Sequence, residues 1–270
     1  MTHTLAKVLL LMLSLLLTVP ANASDRRKNK GLHNSGATFL VTEPDAMPMR
    51  MERDSHCARP TGAVLDKGFI NTKHREGIDV SHYQGDIDWE QVAGSDRISY
   101  AYLKATEGAS YVDRTYTRNL SEARRVGLSV GSYHFYRPNI DWRVQFDNLI
   151  TNVKKEEQDL VPIIDIETRG KVSHEKFISD LRNFIKAVAK HYGKKPLLYT
   201  YHNFYNVYLI GNFKGYHWMI ARYREDQPTL NDGTDYIMWQ YTCKGSIPGV
   251  KGDVDRSRIM NGFHLGQVQM

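Results

Sequence analysis

Asp165 and Glu167 close the apolar run Leu160-Val161-Pro162-Ile163-Ile164-Asp165-Ile166-Glu167. The run reads as a buried strand. Alternate strand side chains share a face, so the two carboxylates stand side by side while Ile166 points the other way. Like charges held that close push one pKa up, and a carboxylic acid that stays protonated near neutral pH can donate to a leaving oxygen. The plainer reading is a strand end whose acids meet solvent or cap the next helix. Asp-x-Glu is a common tripeptide, so the choice between the two rests on what the chain places beside it.

The elements that must position this pair begin at Gly77, where apolar strand-like runs start to alternate with amphipathic helical ones. Strands are expected at 77–80, 98–104, 129–136, 161–167, 196–201, 217–222, 236–241 and, briefly, 253–255. Helices are expected at 88–93, 114–126, 141–157 and 173–192, with little more than 204–209 after the fifth strand. Leu181, Phe184, Ile185 and Val188 recur at helical spacing as a core-facing stripe. The alternation predicts an α/β fold. It is a single TIM-like barrel, mainly parallel with helices outside, of five β/α units followed by three strands with little helix.

In such barrels the working face is the end where the strands finish. Asp79 ends the first strand, Glu107 follows the second, His134 and Tyr136 close the third, Asp165 and Glu167 the fourth, and Tyr201 the fifth. Trp239, Gln240 and Tyr241 close the seventh, and Asp255 the last. Converging carboxylates without metal-type His or Cys spacing point to acid/base chemistry on a neutral polar substrate, and ring-bearing side chains at the same mouth offer faces on which sugars stack. Glycoside hydrolysis is the usual work of two carboxylates beside such rings. No cofactor or metal is expected. Most of the 16 tyrosines belong to core or surface on this reading, and His134 taken alone is more often a satisfied structural histidine than a catalyst.

Composition narrows the classes further. Of the formal charge of +6, residues 24–75 carry 10 basic and 6 acidic side chains, while residues 76–270 carry 25 and 24. A nearly neutral globular part argues against a nucleic-acid face, whose footprint is a basic domain. Lys7, the apolar run Val8 to Leu17 and the small residues Ala21-Asn22-Ala23 predict a secretory signal peptide over 1–23, cleaved after Ala23 and too short for a stable membrane span. A flexible lead segment is expected over 24–75, then the barrel domain over 76–270, in an exported protein, periplasmic or extracellular. A monomer is expected. Cys57 and Cys243 are the two cysteines. An oxidising compartment permits a bridge between them, stapling the lead segment to the end of the domain, and the sequence leaves that pairing open.

The motifs also resemble a known family. Gly77-Ile78-Asp79-Val80-Ser81-His82-Tyr83-Gln84-Gly85, then Tyr102-Leu103-Lys104-Ala105-Thr106-Glu107-Gly108 with Tyr111 and Asp113, is similar to the signature of family 25 glycoside hydrolases, the cell-wall muramidases or lysozymes. Tyr133-His134-Phe135, the Asp165/Glu167 strand end, Trp239-Gln240-Tyr241 and Val254-Asp255 continue the match in order from about Gly77 to Ile259. The resemblance implies cleavage of the β-1,4 bond from N-acetylmuramic acid to N-acetylglucosamine in peptidoglycan. It implies Glu167 as proton donor and then base, with Asp165, Asp79 and Asp255 as the other family acids. Lys104, Glu107, His134, Tyr136, Tyr201, Trp239 and Gln240 are the expected substrate-binding set. One departure stands at Ser257, where the family often has Asn. Strand residues two apart have backbones roughly 6.6 Å apart, so the spacing does not separate retaining from inverting chemistry. Net retention is the expectation, through the substrate's own N-acetyl oxygen or through a covalent sugar. A chitinase-like hydrolase and a non-catalytic wall-binding barrel are the rival readings.

Overall fold

Period-two patterning along the strands sorts their side chains into two apolar layers, and the computed structural model shows both. It describes residues 75–95 and 97–270, all within the unit Pro48–Met270. The leader and nearly all of the lead segment, Cys57 included, lie outside the described residues.

Nine strands run in the order β1 (Glu76–Val80), β2 (Ile98–Glu107), β3 (Tyr111–Val112), β4 (Ser129–Phe135), β5 (Ile163–Asp165), β6 (Leu197–Tyr201), β7 (Trp218–Ala221), β8 (Met238–Gly245) and β9 (Val254–Ile259). Parallel pairing links β1, β2, β4, β5, β6, β7 and β8 in turn, and antiparallel β9 joins β8 to β1 and closes an eight-stranded barrel. The short β3 folds back on the end of β2 as a hairpin. Helices α1 (Trp89–Ala93), α2 (Tyr116–Arg125), α3 (Trp142–Asn152), α4 (His174–Tyr192) and α5 (His202–Phe204, continuing as a π-helical turn over Tyr205–Leu209) follow the first five barrel strands. The last three are followed only by a short 3₁₀ helix, Leu265–Val268, after β9. This is the expected five β/α units and three further strands. The final strand is longer than expected, and it runs antiparallel, so its first residues rather than its last stand at the barrel mouth.

Helix α4 shows how local sequence sets an element. The Ser173 side chain accepts from the Lys176 N–H at the start, Glu175 sits in the first turn, and Gly193 ends the helix in the left-handed conformation at φ 76°. Phe177, Leu181, Phe184, Ile185 and Val188 recur every three to four residues and are buried in the layer between helices and sheet. Each such side chain contributes about 1.5–3 kcal/mol on leaving water.

The inner layer is filled by rings. Tyr100 and Tyr102 point into the barrel, where their hydroxyls meet the Ser257 hydroxyl (3.0 Å) and the Val161 carbonyl (3.3 Å). Gly77 and Gly131 make room for them, since a Cβ at either would lie 2.1 Å from the Tyr100 ring or 2.3 Å from the Tyr102 ring. Ser257 thus serves the barrel interior below Asp255. On the outer side of β1 and β9, Glu76, 1% exposed, pairs with Arg256 and Arg258 and accepts from the Tyr241 hydroxyl (2.9 Å), so this part of the wall is held by paired charge.

Cys243 on β8 is disulfide-bonded. A native bridge contributes about 2–4 kcal/mol. Adding reductant, or Cys243→Ser, is expected to lower the thermal midpoint by about 5–10 °C for a domain of this size, as read by differential scanning fluorimetry with and without dithiothreitol.

Candidate active site

The C-terminal end of β1 carries Asp79 on the same face as Gly77, inside the barrel, while Ile78 and Val80 face the helix layer. Asp255 is its direct partner across the β1–β9 pair. Two acids in register on neighbouring strands are unfavourable for the sheet, which is a mark of function rather than of stability. Asp165 ends β5, and Asp79, Asp165 and Asp255 line one open cleft with Tyr133, Ile163, Tyr199 and Gln240.

Glu167 lies two residues past Asp165, at the outlet of the same strand, and is 8% exposed. The backbone between them is clamped. The Tyr136 N–H donates to the Asp165 carbonyl (3.0 Å), the Ile166 N–H donates to the Tyr199 carbonyl (2.9 Å), and the Thr200 hydroxyl donates to the Ile166 carbonyl (2.6 Å). Ile166 is fully buried in the helix-side core, so its anchoring turns both flanking carboxylates the other way.

Around the acids, hydroxyls are held neutral. Burial pushes the Tyr100 and Tyr102 phenols far above their ordinary range, and the negative Asp79 adds to it. The Gln240 amide donates to Asp79 Oδ2 (3.1 Å) and accepts on Oε1 from the Tyr199 (2.8 Å) and Tyr223 (2.7 Å) hydroxyls. Tyr201, at the end of β6, meets Tyr199 and Tyr223 edge-on at 6.1 and 6.2 Å.

Lys104 and Glu107 stand together on the last turn of β2. The Lys104 ammonium is 2.5 Å from Glu107 Oε2 and lies over the rings of Tyr111 and Phe135, and Arg137 Nε donates to Glu107 Oε1 (2.9 Å). Burial raises the Glu107 pKa, but Lys104 and Arg137 outweigh it and hold the carboxyl below its ordinary value. Glu107 is therefore an ionised organiser of cations and not a proton donor.

Three residues expected at the cleft face elsewhere. Tyr133 lines it, so His134, next along β4, points outward to the helices, where its ring lies 5.2 Å from Phe184. Tyr136 packs against the same Phe184 at 5.3 Å. Trp239 flanks the inward Gln240 and so faces out, donating to the Arg222 carbonyl (2.9 Å) and packing on Tyr241 and Met260. In each case strand parity decides. Proximity to a strand end identified the level of the barrel, and the odd or even position identified the layer. Counting back two from Tyr201 would have found Tyr199. Tyr223, one residue outside the expected sixth strand, carries no such signal.

His134 has a different use. Its Nδ1 meets the Thr106 hydroxyl at 2.8 Å and its Nε2 faces Gln145 Oε1 at 3.4 Å, and burial pushes its pKa down to about 4. The unfolded chain takes up a proton near pH 6.5, whereas the folded ring does so only near 4. Stability is thus full above 6.5 and falls as pH drops toward 4, by roughly 3 kcal/mol. Urea unfolding across pH 7.5 to 4 is expected to show this loss. In His134→Gln the slope over that window flattens, although the variant starts less stable; an unchanged slope would assign the loss to other groups.

Comparison with known proteins adds an independent line. The family model for glycosyl hydrolases family 25 matches residues 78–250. Uncharacterized protein YegX of Escherichia coli (strain K12) is 36% identical over 190 residues, which span 69% of this chain and 69% of that protein. Lysozyme M1 of Streptomyces globisporus is 31% identical over 207 residues, covering 71% and 70%. Among solved structures, a family 25 glycosyl hydrolase from Bacillus anthracis superposes with a TM-score of 0.68 at 30% identity, over 74% of this chain and 96% of that one. The bacterial lysozyme from Streptomyces coelicolor gives 0.64 at 29%, over 73% and 96%. No helix among the described residues is long and apolar enough to cross a membrane.

Proposed function

The chain belongs to glycosyl hydrolase family 25 and is a glycoside hydrolase acting on peptidoglycan, and on that premise we propose that it is an N-acetylmuramidase in which Glu167 is the general acid and base. The bond cleaved is the β-1,4 link from N-acetylmuramic acid to N-acetylglucosamine. The observation that carries this reading is the gathering of Asp79, Asp165 and Asp255 in one cleft, with Glu167 on the same strand end.

Glu167 gives its proton to the glycosidic oxygen as the bond to the anomeric carbon breaks. The substrate's N-acetyl oxygen closes on that carbon from the opposite face, and Asp165 orients the acetamido group and balances the positive charge that forms. Glu167, now a carboxylate, takes a proton from the water that reopens the ring, so configuration is retained overall. Lys104 and Tyr201 are the binding residues that remain beside the cleft mouth. The leader over 1–23 directs export, and the enzyme works on wall glycan outside the cytoplasm as a monomer.

Mass spectrometry of fragments released from purified peptidoglycan tests the assignment. Muramic acid at the new reducing ends is the expected result. Glucosamine ends, intact walls, or cleavage of chitin in preference to peptidoglycan would each reject it.

A further inference from the structure

Gln240 was expected to bind substrate, yet both ends of its amide are already engaged inside the protein. It is 2% exposed, its Oε1 accepts from two tyrosine hydroxyls, and its Nε2 donates to Asp79 Oδ2. Both hydroxyls come from buried side chains, Tyr199 on β6 and Tyr223 just past β7. With Oε1 saturated by two donors at 2.8 and 2.7 Å, the amide has one orientation. Turned over, it would present an oxygen to a carboxylate, two acceptors facing each other, which only a protonated Asp79 could satisfy.

We propose that Gln240 is a positioning residue for Asp79, with Tyr199 and Tyr223 fixing its amide so that the N–H end aims and keeps ionised the carboxylate opposite Asp255. The proposal rests on the reading of Asp79 as one of the working acids. Asp79 shares its cleft with two further acids, Asp165 and Asp255. Oriented N–H donors favour the charged form of a carboxylate, and Gln240 supplies one from the third strand of the group β1, β9, β8. The other groups facing Asp79 include Asp255 from β9, Asp165 from β5, the Tyr100 and Tyr102 phenols from β2, Tyr133 from β4 and Tyr199 from β6. Asp255 stands directly across from Asp79, and it is proton uptake at these facing carboxylates that Gln240 delays.

The test uses the full chain and needs no substrate for its first readout. Carboxyl-carbon NMR titration of Asp79 is compared between the wild type and Gln240→Met, after circular dichroism confirms that the variant folds. The expected result is a midpoint moved to higher pH by half a unit or more. The double variant Tyr199→Phe, Tyr223→Phe, which leaves Gln240 in place, is expected to move it the same way by less, and it stands in if Gln240→Met does not fold. An unmoved midpoint in the folded variant overturns the proposal. The second readout is turnover on peptidoglycan, where kcat is expected to fall about tenfold or more with KM within threefold. A raised KM at constant kcat would return Gln240 to substrate binding and overturn the proposal as well. If wild-type protein leaves peptidoglycan intact, the muramidase reading fails while the NMR result still decides the role of Gln240.

Discussion

Glu167→Gln is expected to keep the fold and lower turnover on purified peptidoglycan by about 10²–10⁴-fold, the range for a lost general acid. Glutamine preserves the size of the side chain, and the neighbouring Ile166, hydrogen-bonded to β6 through both its N–H and its carbonyl, keeps its core contacts. The thermal midpoint should therefore stay within about a degree or two of wild type. An amide can offer a hydrogen bond to the glycosidic oxygen but cannot surrender a proton to it, nor take one from water in the second step. The loss falls on kcat, with KM little changed, because the missing interaction belongs to the transition state. An aryl glycoside with an acidic leaving group needs no proton to depart and is expected to lose much less in its first step. Wild-type turnover in the folded variant would remove Glu167 from the role.

The path from sequence to site was short where a single strand carries two signals at once. Asp165 and Glu167 are legible because an apolar run fixes the strand and the intervening isoleucine fixes the face, and the structure places Ile166 in the helix-side core. Five helix-backed strands and three bare ones were legible for the same reason, since the period changes from 2 to 3.6 and back. The extent of β9 was not. Arg256 and Arg258 break its alternation with charge, and only the pairing of both with buried Glu76 makes them wall residues. The hairpin strand Tyr111–Val112 was also missed, because two residues carry no period. His134, Tyr136 and Trp239 mark the limit of position along a strand as a guide. Each lies at the correct height, and a neighbour one residue away takes the inward place. The amide relay through Tyr199, Tyr223 and Gln240 joins three strand regions, a meeting that only the closed barrel sets.

Asp165→Asn is expected to cost about 10²–10³-fold in kcat, the scale of one lost preorganised electrostatic contact in a water-poor site, while the product keeps its retained configuration. Asp165 is 3% exposed and sits on a strand end whose carbonyl is already held by Tyr136, so asparagine can occupy its place without moving the backbone. What disappears is the charge. In the proposed step the acetamido nitrogen becomes positive as its oxygen bonds to the anomeric carbon, and a carboxylate beside it stabilises that state more than the ground state. An amide accepts the same N–H without balancing it. The stereochemical course follows from the nucleophile being part of the substrate, so NMR of the first-formed anomer should read retention in wild type and variant alike. Glycan stripped of its N-acetyl groups lacks that nucleophile and is expected to resist the wild-type enzyme. If it is cleaved with retention at an ordinary rate, Asp165 itself bonds to the sugar, and the asparagine variant should then lose far more than 10³-fold. Inversion at first turnover would exclude both routes and leave water as the attacking group.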